Sequence, residues 1–322
     1  MKKNIFNILK IVLPLLLGVF LIYYSYHQFS EEQLEEVSTL FKKADYTYIF
    51  LAMILGLLSD FIRAYRWNIL LNPLGHKVKL SNSIMAVGAA YLMNLVIPRG
   101  GEVTRAIIVN KYDKVPMDHG FGTIIAERAI DFIILLLLIA ITLLIQFDVV
   151  KDFLADYITP DKFIYLALVS LGLLLIAFLV FKKSQHNLVL KIKKFVSGII
   201  EGCLSIFKSQ KKLKFFFLTF LIWGIYILMF YVTVFALPET ENITFPVVIT
   251  AFVIGSLTIA FTNGGFGVFP FVMAEILFLY DIERTTGTAF GWLSWISQTV
   301  LVIIYGLISL WLLPYFNKEK NS

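Results

Sequence analysis

Arg99 and Arg105 stand on either side of a glycine pair and a glutamate in the run Ile97-Pro98-Arg99-Gly100-Gly101-Glu102-Val103-Thr104-Arg105. Proline has no amide hydrogen and pushes the preceding residue away from helix. Two glycines then allow conformations that other residues resist. A break of this kind leaves backbone amides free at the start of the next helix. Free amides beside two guanidinium groups suit an anion, and a phosphate headgroup is the natural guest. Taken alone, the run also reads as an interfacial turn with snorkelling arginines.

Three further groups of residues bear on that chemistry. Glu127 and Asp131 are four residues apart and share a helix face, with Arg128 three before Asp131. They read either as an ion-pair cluster that pins a helix end, or as carboxylates that hold the arginines or relay protons. Asp60 is the deepest charge of an apolar segment, and Arg63, three residues on, is its expected partner. Arg66 and Trp67 read as interface anchors. Asn263-Gly264-Gly265-Phe266-Gly267 is a second glycine-rich break that offers backbone groups and no charge. Glu275 follows it, and Trp292, Trp295 and Gln298 mark the last apolar segment.

Other chemistries find no residues. There is no phosphate-binding loop of the Gly-x-x-x-x-Gly-Lys-Ser/Thr type. His27, His76, His119 and His186 have no metal-ligand spacing, and Cys203 is the only cysteine. No nucleophile–histidine pattern is visible. The chain reads as a non-enzyme, with no cofactor and no metal.

These residues must be positioned by a membrane protein. The 322 residues are 59% hydrophobic and only 16% charged, and the mean hydropathy is +0.82. Apolar runs of spanning length recur, and in lipid only helices or closed barrels satisfy their own backbones. The alternating ten-residue pattern of a barrel is missing. The fold class is therefore an all-α polytopic membrane protein, one domain over residues 1–322. Full crossings are expected at 9–29, 47–71, 122–146, 163–181, 213–237 and 286–313. Segments 82–97 and 246–280 are short or interrupted.

Loop charges set the orientation. Lys2, Lys3 and Lys10 put the N-terminus in the cytoplasm, and Glu31, Glu32, Glu35 and Glu36 put the next loop outside. Arg63, Arg66, Lys77 and Lys79 close the second helix inside, and Arg99, Arg105, Lys111 and Lys114 read as cytoplasmic charges again. Segment 82–97 then begins and ends inside. The loop 182–214 carries nine lysines against Glu201, and Lys318 and Lys320 keep the C-terminus inside. Segment 246–280 then begins and ends outside. Residues 47–146 and 213–313 thus form an inverted repeat of helix, re-entrant hairpin and helix, an architecture known in transporters. Eight simple crossings remain the competing reading, so six to eight transmembrane helices are expected. The net charge of +6 suits topology and anionic lipid better than nucleic acid.

The run Asn94 to Arg105, followed by Glu127-Arg128-Ala129-Ile130-Asp131, resembles the family of the transmembrane flippase domain of lysylphosphatidylglycerol synthases. The resemblance covers nearly the whole chain. It implies a helical fold with re-entrant elements and, in the best-understood members, movement of a phospholipid between leaflets. Two departures stand out. The family's second hairpin often carries Pro-Gly-Gly-x-Gly and then a glutamate, where this chain has Asn263 and Pro270. The soluble aminoacyl-transfer domain does not follow the last helix.

The expected activity is flipping of a phospholipid or other phosphate-headed lipid in a bacterial inner membrane. Arg99 and Arg105, with Arg63 or Arg128, hold the phosphate. Glu102, Glu127 and Asp131 orient the arginines, while Gly100, Gly101, Asn263, Gly264 and Gly265 shape the two breaks. Membrane lipids are the expected partners, nucleic acid is not, and a homo-oligomer is compatible with the sequence. Two other readings stay open: a proton-coupled small-solute carrier centred on Asp60, Glu127 and Asp131, and a non-transporting scaffold.

Overall fold

The computed structural model describes residues 16–97, 99–147, 210–262 and 264–318. The expected crossing at 163–181, most of the basic loop, Pro98 and Asn263 lie outside these residues. Among the described residues every regular element is helical. Helical residues 16–28 lead into α1 (Glu31–Lys43) and α2 (Tyr46–Leu71). Then come α3 (Leu80–Val96), α4 (Gly100–Asp113), α5 (Met117–Ile145), α6 (Lys212–Val234), α7 (Phe245–Phe261), α8 (Val268–Phe278) and α9 (Arg284–Phe316). Four of them, α2, α5, α6 and α9, are long and apolar enough to cross a membrane. One compact unit draws on residues 1–124 and 208–322, and another on residues 125–207.

In the first unit α3 and α4 form an antiparallel hairpin. At the open end, the Asp113 carboxylate accepts from the Lys79 amide (3.1 Å) and from Asn82 Nδ2 (2.8 Å). At the tip, the Gly101 amide donates to Asn94 Oδ1 at 2.7 Å. A methyl group on Gly101 would stand 2.3 Å from the Ala90 carbonyl, so the arms touch only because this position is glycine. The loop charges leave the break as either the tip or the exit of the hairpin, with Arg99, Arg105, Lys111 and Lys114 beyond the apolar segment. Instead, residues 100–113 are the second arm. Fourteen helical residues at 1.5 Å each put Arg99 about 20 Å from Asp113. The turn between α3 and α4 is therefore the tip of the hairpin.

α7 and α8 make a second hairpin. Its tip turns through Gly264, Gly265 and Gly267, whose φ angles of +68°, +78° and +67° favour glycine. The Trp295 indole holds the turn by donating to the Gly264 carbonyl at 2.7 Å.

α9 fixes how the hairpins sit in this unit. Along its length, Gly287 packs on Ala274, Gly291 on Pro270, Gly306 on Leu92, and Gly88 on Ser309 and Tyr305. Asn317 at its end exchanges hydrogen bonds with Asn82 (2.7 and 3.0 Å). The partners run down α8 to its tip and then down α3 away from its tip, so the two hairpins lie end to end along one helix. Their tips meet: Leu95 of the first is the nearest side chain to Gly264 of the second, 3.8 Å from where a Cβ would stand. α3 and α7 have 17 residues each, about 25 Å. α9 has 33, about 50 Å, which is the length the two hairpins share.

α2 and α6 pack antiparallel beside them. The Asp45 amide donates to the Ala236 carbonyl at 2.8 Å, and the Lys214 amine meets the Tyr65 hydroxyl at the other end. α5 begins five residues before the expected 122, because Met117 to Phe121 continue the helix without a break.

Glycine contacts carry a direct prediction. A methyl at position 306 would stand 2.4 Å from Leu92 Cβ. Gly306→Val should therefore lower stability by about 1–3 kcal/mol, the usual cost of overpacking. Gly122, with open space around its Cα, should tolerate alanine and gain up to about 1 kcal/mol of helix propensity. Thermal unfolding of both variants in detergent checks the pair.

Candidate functional site

α2 brings Asp60, Arg63 and Arg66 into the bundle at intervals of three, and all three are buried. Arg66 and Trp67 have no exposure at all. The expectation that they anchor the helix at the interface is therefore wrong. Trp67 and Arg66 lie four and five residues before the end of α2, and α4 and α6 close over them.

The opposite side of α6 explains how arginines are held there. Thr219 and Tyr226 are seven residues apart and so lie on one face. Because α6 runs antiparallel to α2, they meet Arg66 and Arg63 in turn. Arg66 Nη1 donates to Thr219 Oγ1 at 2.8 Å, and Arg63 Nη2 donates to the Tyr226 hydroxyl at 2.9 Å. The Arg66 guanidinium also lies 5.3 Å from the Phe215 ring centre, and Arg63 lies 6.0 Å from that of Tyr226. Each cation thus has a hydroxyl acceptor and an aromatic face, the pairing that offsets loss of water.

Arg105 comes from α4. It is buried, with its guanidinium 4.1 Å from the centre of the Trp67 indole. The Trp67 Nε1 donates to Thr123 Oγ1 at 3.0 Å, and Thr123 donates onward to the Gly120 carbonyl at 2.9 Å. The indole plane is fixed by this relay and offers its face to the arginine. Tyr305 of α9 donates to the Ile84 carbonyl at 2.6 Å and lies within electrostatic reach of Asp60 and Arg105. The hydroxyls of Thr219, Tyr226, Thr123 and Tyr305 escaped sequence reasoning. The seven-residue spacing of Thr219 and Tyr226 within an apolar helix was the signal for two of them.

Arg99 is different. It caps α4 in the left-handed region (φ +59°) and is exposed. Gly100 and Glu102 are half-buried and Gly101 is buried. The side chains around the tips are apolar and exposed: Val96, Ile97, Val103, Ile259 and Phe261. Gly264 and Gly265 face this tip from the second hairpin, and Asn263 between α7 and Gly264 lies outside the described residues. Both second arms, α4 and α8, start at the tips. Their N-termini bring partial positive charge to that level.

Glu127, Arg128 and Asp131 belong to the second unit. Glu127 is fully buried, Asp131 nearly so and Arg128 half-buried, and all three are engaged by neighbouring groups. Glu275 is half-buried and pairs with Arg284 at 2.9 Å, which ties the end of α8 to the start of α9. No group of three His, Cys, Asp or Glu side chains suits a metal among the described residues.

Removing the hydroxyl acceptors tests how the arginines are held. Thr219→Val and Tyr226→Phe should each lower stability by about 1.5–3 kcal/mol, the range for hydrogen bonds to charged groups. Thermal unfolding in detergent reads this out, and an unchanged midpoint in both would overturn the assignment.

Comparison with known proteins agrees with a membrane protein. A UPF0104 membrane protein of Methanocaldococcus jannaschii is 29% identical over 152 residues, 46% of this chain and 44% of the relative. Another, from Methanothermobacter thermautotrophicus, is 28% identical over 138 residues, 41% of each chain. The matched stretch therefore covers less than half of either relative. No solved structure matches. The family model for the lysylphosphatidylglycerol synthase TM region matches residues 11–306. This chain is a multi-pass helical membrane protein and belongs to that family.

Proposed function

We propose that the chain moves a phosphate-headed lipid between leaflets of the cytoplasmic membrane, with both termini on the cytoplasmic side and no catalytic step. The observation that carries this reading is the meeting of two opposed hairpins beside an exposed arginine. On the loop charges, the α3–α4 hairpin enters from the cytoplasm and the α7–α8 hairpin from outside, as inverted repeats would. Each is about 25 Å deep and the bilayer core is about 30 Å thick, so neither crosses alone. Their tips then lie within the hydrocarbon, where an arginine costs roughly 2.5–3.5 kcal/mol on insertion scales. A chain that keeps Arg99 there gives it an anionic partner. A lipid phosphate arriving from the side suits both the charge and the exposed apolar surround.

Arg99 makes first contact in this scheme. The expected free amides are engaged, Gly100 donating to the Ile97 carbonyl at 2.9 Å and Gly101 to Asn94 Oδ1 at 2.7 Å, so it is the dipoles of α4 and α8 that add positive potential without adding bulk. Arg63 and Arg105, deeper on the cytoplasmic side, raise the potential of the route and are held in place by Tyr226 and Trp67. A buried carboxylate, Asp60, favours a second reading, a proton-coupled carrier of small solutes.

Purified protein in liposomes separates these readings. Wild type should speed translocation of a labelled anionic phospholipid over empty vesicles, and Arg99→Ala should slow it about tenfold, the equivalent of 1.4 kcal/mol. Equal rates for both proteins and for empty vesicles would end the lipid reading. Flux that needs a pH gradient and vanishes in Asp60→Asn would favour the carrier. Cysteines at positions 81 and 112 should label from the cytoplasmic side alone; labelling from opposite faces would sink the hairpin topology.

A further inference from the structure

A cavity of about 310 Å³ lies beside the second hairpin, away from the arginines. We infer that it holds the hydrocarbon chain of a membrane lipid, an acyl or prenyl tail.

The walls come from four elements of the first unit: helical residues 16–28, α1, the tip and start of α8, and α9. None of the lining residues carries a formal charge. Phe29, Phe41, Phe271, Trp292 and Ile296 are among the lining residues, and Ser25, Tyr26 and Thr288 are the hydroxyl-bearing ones. A charged headgroup would lose its water there with nothing to replace it. Water would fare little better, because a buried water needs two to four polar partners. An apolar guest loses nothing. A cavity of roughly 150 Å³ takes one benzene ring, so this one has room for about a dozen carbons.

α1 explains why the cavity suits a tail coming from the membrane. Leu34, Val37 and Phe41 fall at i, i+3 and i+7 and line the cavity. Glu31, Glu32, Glu35 and Glu36 are exposed. The helix is therefore amphipathic, with its acidic side to water and its apolar side over the cavity. It is pinned at its start by a Ser30–Gln33 capping box (3.0 and 3.2 Å). An amphipathic helix suits the plane of a membrane interface, and in that placement the space beneath it would be at acyl-chain level. Gly267 and Pro270 belong to both the cavity wall and the second hairpin, so the tail site is continuous with the tip region that the lipid reading assigns to the phosphate.

The identity of the guest rests on that lipid reading, but the test does not use transport. Full-length protein in nanodiscs of phosphatidylglycerol and phosphatidylethanolamine receives one of two probes. One is a phosphatidylglycerol with a diazirine near the end of an acyl chain, and the other is a polyprenyl phosphate with a diazirine near the end of its chain. After illumination, adducts are mapped by mass spectrometry. Peptides carrying Tyr26, Phe271 or Trp292 should be labelled at least tenfold more than the peptide of Phe217, an exposed apolar residue of α6. Thr288→Phe and Ser25→Phe, which fill the cavity, should remove that excess and leave labelling at Phe217 unchanged. Cavity labelling no higher than at Phe217 overturns the inference, as does an excess that survives both filled variants. If neither variant folds, the wild-type map alone decides. Labelling by one probe only names the tail. A labelled cavity in a protein that fails to move lipid would leave the tail site standing and remove the flipping reading.

Discussion

The close packing of α9 against both hairpins is the constraint on which the rest depends. Half-helices of 17 residues and fewer leave backbone groups unpaired at their tips, and in lipid such groups need protein or a cavity around them. α9 supplies that surround. Gly287 and Gly291 let it touch α8, and Gly306 meets Leu92 while Gly88 meets Ser309 and Tyr305, so it also touches α3. Between those two contact zones Trp295 takes the Gly264 carbonyl, which an open tip would leave unsatisfied. Without the small residues the helices would stand further apart, and the broken segments would lose the wall that makes them tolerable.

Charge is handled by a second rule. Arg63, Arg66 and Arg105 are buried in a chain that is mostly apolar, and each has an aromatic face against it. A guanidinium is planar and weakly hydrated, so it stacks and donates at the same time. Lysine could do neither as well. The exposed lysines Lys111, in the last turn of α4, and Lys114, just past its end, sit instead near the open end of the hairpin beside Asp113. Position along the same short helix separates the two kinds of cation. Arg105 is packed midway, Lys111 is solvated at the end and Arg99 stands at the tip.

Much of this order was legible in the residues. The Pro98 and Gly264–Gly265 breaks announced themselves by residue type, and the long crossings at 47–71, 213–237 and 286–313 agree closely with α2, α6 and α9. The second arm of the first hairpin was not legible. Residues 100–113 carry Glu102, Arg105, Lys111 and Asp113, and a segment with that many charges reads as loop when hydropathy is averaged. Helix geometry sorts those charges onto one face and one end, which averaging cannot do. Arg66 and Trp67 were misread for a related reason. Near a helix end an Arg-Trp pair is the pattern of an interface anchor, and only the tertiary contacts of Thr219, Thr123 and Arg105 turn both side chains inward. The hydroxyl partners carry little sequence signal, because an isolated threonine in an apolar helix usually bonds its own preceding turn. Thr219 does that as well, donating to the Phe215 carbonyl at 2.9 Å while accepting from Arg66.

The two hairpins are alike in backbone and opposite in chemistry. The first places Arg99 at its tip and arginines along its flank. The second has three left-handed glycines, no charge among its described tip residues, and an apolar cavity at its shoulder. Two hairpins that moved a symmetric solute would have little use for that difference. A lipid is not symmetric: its phosphate needs cations and dipoles, and its chain needs dry apolar volume. A bundle that brings both environments to one level, with α9 holding their spacing, matches the two ends of such a molecule at once. On the proposed lipid reading, tail and phosphate are then parts of one recognition problem.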